Sequence, residues 1–209
     1  MWKRSSYILA AKTFNAGSTT RAFMTFQVME ADSPLLRVEF ELFSKKCPMA
    51  TENFAKLCSG EAVLPYQAPS EAIADPGFKD QYAPQLHYQG TMLHRVIPDF
   101  LIQGGDVVNR DGTGNISVFG PSFDAPAELG VVPFDRVGLL GTATSTPHTN
   151  GSQFFILTAP SGKHLDGTCI CFGRVSKGLK ELMETVHRIP RDYDGTPATE
   201  VRCVECGIL

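Results

Sequence analysis

Polar and apolar residues alternate along two early segments of the chain. Segments 25–30 and 37–43 each alternate in this way, and the sequence Ala-Asp-Ser-Pro at 31–34 between them is typical of a turn. A period of two places one side of a strand against a core and the other side in water. The two segments therefore predict a β-hairpin.

The spacing becomes helical after the hairpin. Pro48 suits the first turn of a helix, and Phe54 and Leu57 follow on one helical face. We predict a helix from residue 48 to about 58, ended by Gly60. A second helix is predicted over about 176–187, where one face carries Leu179, Leu182, Met183 and Val186.

Short apolar runs separated by glycine and proline occupy most of the remaining chain. We predict strands within 91–97, 100–103, 137–143, 153–158 and 169–175, and a last strand over about 199–204. Several short strands with turns between them are typical of a β-barrel or a β-sandwich. Residues 62–90 interrupt the pattern with four prolines and no sustained periodicity, which predicts an inserted loop.

Composition and charge limit the classes of function. Hydrophobic residues make up 43% of the chain and charged residues 20%, as in soluble globular proteins. No apolar run approaches the roughly 18 residues that span a bilayer, so we expect no membrane partner. The net charge of −3 argues against nucleic-acid binding, which needs a cationic face. We expect a monomer.

Residues 1–24 differ from the rest of the chain. They contain Lys3, Arg4, Lys12 and Arg21 but no acidic residue, and they are rich in serine and threonine. This composition is typical of a mitochondrial transit peptide, and a basic extension without a targeting role is the alternative. We therefore expect an extension over 1–24, a domain over 25–209, and a cytoplasmic location with the mitochondrion as the alternative.

Segment 93–106 carries the most informative chemistry. Within nine positions it places the permanent cation Arg95, the amide Gln103 and the apolar residues Phe100 and Leu101. It contains no acid–base pair, no nucleophile beside a base and no metal-ligand pattern. Such a site suits holding and polarising the amide of an apolar ligand rather than breaking a bond.

Four motifs in this order resemble those of the cyclophilins. They are Leu-His-Arg-Val-Ile-Pro-Asp-Phe-Leu-Ile-Gln-Gly-Gly-Asp at 93–106, Asp-Gly-Thr-Gly at 111–114, Thr-Asn-Gly-Ser-Gln-Phe-Phe-Ile at 149–156, and Leu-Asp-Gly at 165–167 followed by Phe-Gly-Arg-Val at 172–175. The resemblance implies a mainly β fold, a closed eight-stranded antiparallel β-barrel capped by two α-helices. It also implies peptidyl-prolyl cis/trans isomerase activity in a divergent member with a long inserted loop.

The residues themselves fit that activity. An X-Pro amide rotates over a barrier of about 18–20 kcal/mol, and no covalent intermediate is needed to lower it. A donor aimed at the prolyl nitrogen stabilises the twisted amide more than the planar one, as catalysis requires. Arg95 is always charged and offers several donors, so we predict that it is the catalytic residue. Gln103 would hold the substrate carbonyl oxygen and orient Arg95.

The resemblance also implies the remaining contacts with substrate. An apolar pocket for the proline ring would be built from Phe100, Leu101, Phe155 and Leu165. The same groove would be lined by His94, Ile97, Gly112 and Ala143, with the backbone of Thr144 pairing with the peptide. Proline-containing peptides and protein clients are the expected partners, and no cofactor or metal is expected.

Two positions depart from the family pattern. His164 stands where the family often has tryptophan, whose ring N–H commonly contacts the inhibitor cyclosporin, so we expect weakened cyclosporin binding. Cys169 stands where the family often has histidine, which alters substrate preference at the edge of the pocket. A binding module for proline peptides with weak turnover is therefore an alternative function.

Six cysteines permit a further alternative. Cys58 and Cys206 match positions that form a redox-sensitive disulfide in some long-loop cyclophilins, which suggests a thiol-regulated isomerase. Two inert thiols are the other interpretation. The Cys203-x-x-Cys206 spacing together with Cys169-x-Cys171 could suggest zinc, but residues two apart in a strand merely share a face.

Overall fold

The computed structural model describes residues 20–63, 85–144 and 148–209. Within these residues the strands are β1 (Arg21–Val28), β2 (Leu35–Leu42), β3 (Ala62–Val63), β4 (Gln85–Leu86), β5 (Arg95–Ile97), β6 (Leu101–Gly104), β7 (Leu139–Thr142), β8 (Phe154–Leu157), β9 (Cys171–Lys177) and β10 (Val201–Ile208). The α-helices described are α1 (Pro48–Ser59) and α2 (Leu179–Val186), and a short 3₁₀ helix spans Lys163–Leu165. Residues 1–19 of the predicted extension and 64–84 of the predicted insertion lie outside the described residues.

Eight strands form one antiparallel sheet in the order β10-β1-β2-β9-β7-β8-β6-β5. The prediction of a mainly β fold with eight antiparallel strands and two helices is confirmed. The structure does not show the closed barrel that was predicted, since β5 and β10 are the two edges of a curled half-barrel. The segment leading to β5 is hydrogen-bonded to β10, for example from Leu93 N–H to the Val201 carbonyl at 2.9 Å.

Most local predictions agree with the observed elements. The hairpin is β1 and β2, with Met24 opposite Val38. Strand β1 begins at Arg21, so the last residues of the predicted extension belong to the sheet. Helix α1 starts at Pro48 and ends at Gly60, whose φ of 71° favours glycine over residues with a side chain. The ends of the inserted region pair with each other as β3 and β4.

The alternation of each strand divides the buried side chains between two faces of the sheet. Val96, Ile102, Leu140 and Ile156 belong to the main core, which also takes the apolar faces of both helices. The residues next to them in sequence form a second, smaller apolar cluster that includes Leu101, Leu139, Phe155 and Leu157. Because successive side chains point to opposite faces, the second cluster lies across the sheet from the main core.

Candidate active site

Strand register brings the two predicted catalytic residues together. Arg95 of β5 lies directly opposite Gln103 of β6, and Gln103 lies opposite Phe155 of β8, which in turn lies opposite Gly141 of β7. Residues directly opposite each other in an antiparallel pair share a face of the sheet. The cation, the amide and the aromatic ring therefore form one row on the face that carries the second apolar cluster.

Arg95 is exposed and is held at one end of this row. Its Nε donates a hydrogen bond to the Asp194 carbonyl oxygen at 3.1 Å. Among the described residues, no partner is found for the two terminal nitrogens of its guanidinium. These terminal donors remain available for a ligand that lies along the row.

Gln103 is oriented by a second amide side chain. Its Nε2 donates to Gln153 Oε1 at 2.9 Å, and Gln153 Nε2 donates to the carbonyl oxygens of Gly112 and Gly114, each at 2.8 Å. The Nε2 of Gln103 carries two N–H groups, so one N–H donor and the acceptor oxygen of this amide remain for a ligand. The chain of amides fixes the rotation of Gln103 beside Arg95.

A buried carboxylate shapes the loop that contains Gly112. Asp106 is 1% exposed, and its oxygens accept hydrogen bonds from the backbone N–H groups of Val108, Asn109, Gly112 and Gly114 at 2.9 Å each. Burial acts to raise the pKa of Asp106, but these backbone donors outweigh it and lower the pKa below its ordinary value. The ionised carboxylate thus holds the loop closed.

His94 packs under the same loop. A Cβ added to Gly112 would lie 2.5 Å from His94 Cδ2, so the loop approaches the imidazole closely only because this residue is glycine. Burial lowers the pKa of His94, against the opposing influence of Asp106 and Asp111. His94 is therefore neutral at pH 7 and supports the groove without adding a second cation to it.

We expect Asp106→Asn to lower the free energy of unfolding at pH 7 by about 1.5–3 kcal/mol, because hydrogen bonds to a charged acceptor are lost. A depressed folded-state pKa stabilises the fold above the ordinary carboxyl value, and this contribution disappears as the pH falls through the folded-state pKa. Urea unfolding at several pH values measures the effect. The difference between wild type and variant should shrink below about pH 4, and a constant difference would contradict the assignment.

The apolar residues predicted for the proline pocket meet in the second cluster. Leu101 and Phe155 are buried, while Phe100, Ala143 and Leu165 are partly exposed against them. Ile97 lies opposite Leu101 on the same face. These residues form a slot next to Arg95 and Gln103. It has a buried floor and a partly open rim, as a site for an apolar ring requires.

Phe134 completes the floor of the pocket. Its ring centroid lies 5.3 Å from that of Phe155, and it is 1% exposed. A Cβ on Gly141 would collide with the Phe155 ring and lie 2.7 Å from Phe134 Cζ. Glycine at this position therefore leaves room for both rings next to β7.

The two positions that depart from the family pattern lie on the rim and below it. The exposed His164 sits in the 3₁₀ helix with its ring centroid 5.4 Å from that of Phe100. Cys169 is 6% exposed and belongs to the second cluster. Burial raises the pKa of the Cys169 thiol, against the Thr144 backbone N–H that stabilises the thiolate. Contact of Cys169 and Thr144 with substrate stays a prediction.

Some supporting residues were not found from the sequence. Gln153 and Phe134 each position a predicted site residue from a distant segment, and Asp106 positions Gly112 within the same loop. Gln153 and Asp106 lie within the motifs, so their presence was visible, but their roles depend on three-dimensional proximity. Nothing in the residues around Phe134 marks it as part of the pocket floor.

Three of the six cysteines, Cys58, Cys203 and Cys206, form a separate group near β10. Cys58 and Cys203 are fully buried, and Cys206 Sγ lies 3.2 Å from His87 Nε2. A hydrogen bond from the Cys203 thiol lowers the pKa of Cys206, whereas burial and the neighbouring Cys206 raise the pKa of Cys58. The pKa values of the predicted pair are thus shifted in opposite directions, down for Cys206 and up for Cys58.

In the part of the chain that the structure describes, no group of three or more His, Cys, Asp or Glu side chains is arranged to hold a metal ion. None of the described helices has both the length and the apolar character that crossing a membrane requires.

Comparison with known sequences identifies the family of this chain. The profile of the family described as "Cyclophilin type peptidyl-prolyl cis-trans isomerase/CLD" matches residues 25–208, which is most of the chain. The chain belongs to the cyclophilin family. The proposed catalytic row and pocket all lie inside the matched region.

The relatives match most of this chain, but the chain spans very different shares of their own lengths. It is 38% identical over 175 residues to "Peptidyl-prolyl cis-trans isomerase H" of Mycosarcoma maydis, covering 84% of this chain and 99% of that protein. It is 36% identical over 193 residues to the human "NK-tumor recognition protein", covering 92% of this chain but 12% of that protein. A "Peptidyl-prolyl cis-trans isomerase 9" of Caenorhabditis briggsae is 36% identical over 178 residues, covering 85% of this chain and 51% of that relative.

Proposed function

We propose that this cyclophilin catalyses cis/trans isomerisation of X-Pro peptide bonds in unfolded or flexible protein segments. The observation that carries the proposal is the row of Arg95, Gln103 and Phe155 across three paired strands. It places a permanent cation, an oriented amide and an apolar floor on one face. The names of two isomerase relatives that cover 84% and 85% of the chain support the same activity.

The geometry suggests a separate role in catalysis for each of the three groups. The proline ring enters the slot above Phe155, which anchors one side of the amide bond. Gln103 donates the second N–H of its Nε2 to the carbonyl oxygen in one planar form, and the segment before the proline, which carries that oxygen, rotates about the bond. When the amide twists, its nitrogen loses resonance and becomes an acceptor, to which Arg95 donates. A rate gain of about 10⁵ corresponds to about 7 kcal/mol of such selective stabilisation.

A folding assay tests the proposal. The substrate is a protein whose slow refolding phase is limited by proline isomerisation, which takes tens of seconds at 25 °C. Catalytic amounts of this cyclophilin should accelerate the slow phase and leave the fast phases unchanged. An unaltered slow phase at equimolar protein would overturn the proposal.

A proline-peptide binding module with weak turnover is the second candidate. The observation in its favour is His164, which stands on the rim against Phe100 where the family often has tryptophan. Such a module would hold a proline peptide in the slot without accelerating its rotation. In the refolding assay, such a module would bind unfolded chains and would therefore slow the proline-limited phase, whereas an isomerase would accelerate it.

Cyclosporin binding is a property of the family, and we propose that His164 weakens it in this chain. Replacing His164 by tryptophan should strengthen binding about three- to tenfold, since one neutral hydrogen bond contributes about 0.5–1.5 kcal/mol. Titration of both proteins with cyclosporin measures the change. His164→Phe is the control, because it supplies a ring without the N–H donor. Equal affinities of the Trp and Phe variants would contradict the role of that donor.

Thiol regulation is proposed as a modifier of the same activity. Cys206 is partly exposed and its pKa is lowered, and its charge contributes to raising the pKa of the buried Cys58. Hydrogen peroxide would take two electrons and two protons from the pair, which forms a disulfide while the peroxide becomes two waters. Oxidation should lower turnover, dithiothreitol should restore it, and Cys58→Ser should abolish the loss. Equal inhibition of the variant would exclude this pair.

We also propose a cytoplasmic location, with mitochondrial import as the alternative. The basic, acid-free composition of residues 1–24 supports the alternative. The N-terminal sequence of the protein isolated from cells distinguishes the two, because import would remove that segment.

A further inference from the structure

The free edge of the sheet at Arg95 is covered by the loop between α2 and β10. The Asp194 carbonyl oxygen accepts the hydrogen bond from Arg95 Nε at 3.1 Å, and the next carbonyl, of Gly195, accepts from Val96 N–H at 2.8 Å. Strand β5 is an edge strand that pairs only with β6 in the sheet. Consecutive carbonyls of one loop therefore hold both the catalytic side chain and the backbone beside it.

The loop keeps its shape through Thr196. The Thr196 backbone N–H donates to Asp192 Oδ1 at 2.8 Å and to Asp194 Oδ1 at 3.1 Å, and its Oγ1 donates to Asp194 Oδ1 at 3.0 Å. The Gly195 N–H closes the turn on the Asp192 carbonyl at 3.2 Å. These bonds point the Asp194 side chain back into the loop, which leaves its carbonyl facing Arg95.

Gly195 sets how closely the loop approaches the strand. Its φ is 93°, in the region that favours glycine, and a Cβ there would lie 3.2 Å from both the Val96 carbonyl oxygen and Ile97 Cγ1. The loop is thus pressed against β5 at the level of Arg95. The approach fixes the distance between the Asp194 carbonyl and the guanidinium.

Holding Nε matters because arginine is flexible. A free arginine side chain has about 2 kcal/mol of rotamer entropy to lose when it is ordered. A guanidinium already fixed at Nε presents its terminal donors to the slot before substrate arrives, which is the pre-organisation that selective stabilisation of a twisted amide needs.

We propose that the loop 192–196 positions Arg95 for catalysis and that Thr196, which touches neither substrate nor Arg95, acts through the Asp194 carbonyl. This inference rests on the isomerase function proposed above. It makes Thr196 a positioning residue and not a catalytic one. The loop would act on the turnover of bound peptide more than on peptide affinity, because Arg95 prefers the twisted amide to the planar one.

The test compares Thr196→Val, Thr196→Ser and a control. Valine keeps the shape of threonine but removes the hydroxyl, and serine restores it. Thr199→Val is the matched control, since Thr199 donates a similar hydroxyl bond, to Glu30 Oε1 at 2.7 Å, outside the site. We expect Thr196→Val to lower kcat about three- to tenfold with an unchanged Kd for the peptide. Thr196→Ser and Thr199→Val should keep kcat within twofold of wild type.

NMR measures a property of Arg95 that would not change if Thr196 only stabilised the fold. The Arg95 Nε–H proton should exchange with water more slowly than that of the exposed Arg110 in the wild type and in Thr196→Ser. It should exchange at the rate of Arg110 in Thr196→Val. The wild-type comparison remains decisive if Thr196→Val does not fold.

Three results would overturn the positioning role. They are wild-type kcat in Thr196→Val, an equal loss of kcat in Thr199→Val, and unprotected Arg95 Nε–H in the wild type. Failure of the proposed function looks different, since the wild type would then not accelerate isomerisation at all while the Nε–H contact could still be observed.

Discussion

Replacing Arg95 by alanine should reduce turnover of a short X-Pro peptide by at least tenfold, and by as much as about 100-fold. A charged hydrogen bond contributes about 1.5–3 kcal/mol, and each 1.4 kcal/mol is a factor of ten in rate. Affinity for the planar peptide should change little, because the bond forms in the twisted state. Steady-state kinetics and peptide titration by NMR measure the two quantities separately.

The fold should tolerate this change. Arg95 is exposed, and exposed substitutions usually alter the free energy of unfolding by no more than about 0.5 kcal/mol. Arg37→Ala is the control, since Arg37 is an exposed arginine on β2 that stacks on Phe23 with 3.8 Å between Cζ and the ring centroid. Full activity in the Arg37 variant and residual activity in the Arg95 variant would support the assignment. Equal turnover in both would remove Arg95 from the mechanism.

Replacing Phe155 by alanine should affect both stability and binding. The side chain is 2% exposed and packs against Phe134, so its loss should lower the free energy of unfolding by about 3–5 kcal/mol. Because the ring is also the floor of the slot, peptide affinity should fall at least tenfold, as for a buried hot-spot contact. Urea unfolding and peptide titration at low temperature provide the two numbers.

Phe154 is the matched control for this variant. It is the neighbouring residue on β8, equally buried at 2%, but its ring faces the main core at 5.4 Å from both Phe54 and Tyr88. Phe154→Ala should cost similar stability without weakening the folded protein's affinity for peptide. If either alanine variant is unfolded, leucine at the same position replaces it. A loss of affinity in both variants would show that the two faces of the sheet are not functionally distinct.

Local features were largely predictable because they depend on neighbouring residues. The alternation in 25–43 and the Pro48 to Gly60 helix follow from strand and helix periods, which the chain satisfies without distant contacts. Closure of the sheet was not predictable in this way. It depends on whether two edge strands meet, and β5 is only three residues long, so it does not extend along β10.

The same distinction between local and distant contacts applies to the residues of the site. Arg95 and Gln103 are eight positions apart in one motif, and the hairpin between them makes them neighbours. The partners that orient them come from distant segments. Gln153, just before β8, lies 50 positions from Gln103, and Asp194, in the loop after α2, lies 99 positions from Arg95. Such contacts depend on the packing of separate segments and leave no periodic signal in the sequence.

The most direct test of the account is exchange NMR on an Ala-Pro peptide with this cyclophilin at a small fraction of the peptide concentration. Uncatalysed exchange takes tens of seconds or longer, so cross-peaks between the cis and trans forms are absent without catalyst. We expect cross-peaks at mixing times below roughly one second with the wild type. With Arg95→Ala, these cross-peaks should nearly disappear. Peptide signals that shift on binding while cis and trans stay unconnected would contradict the account.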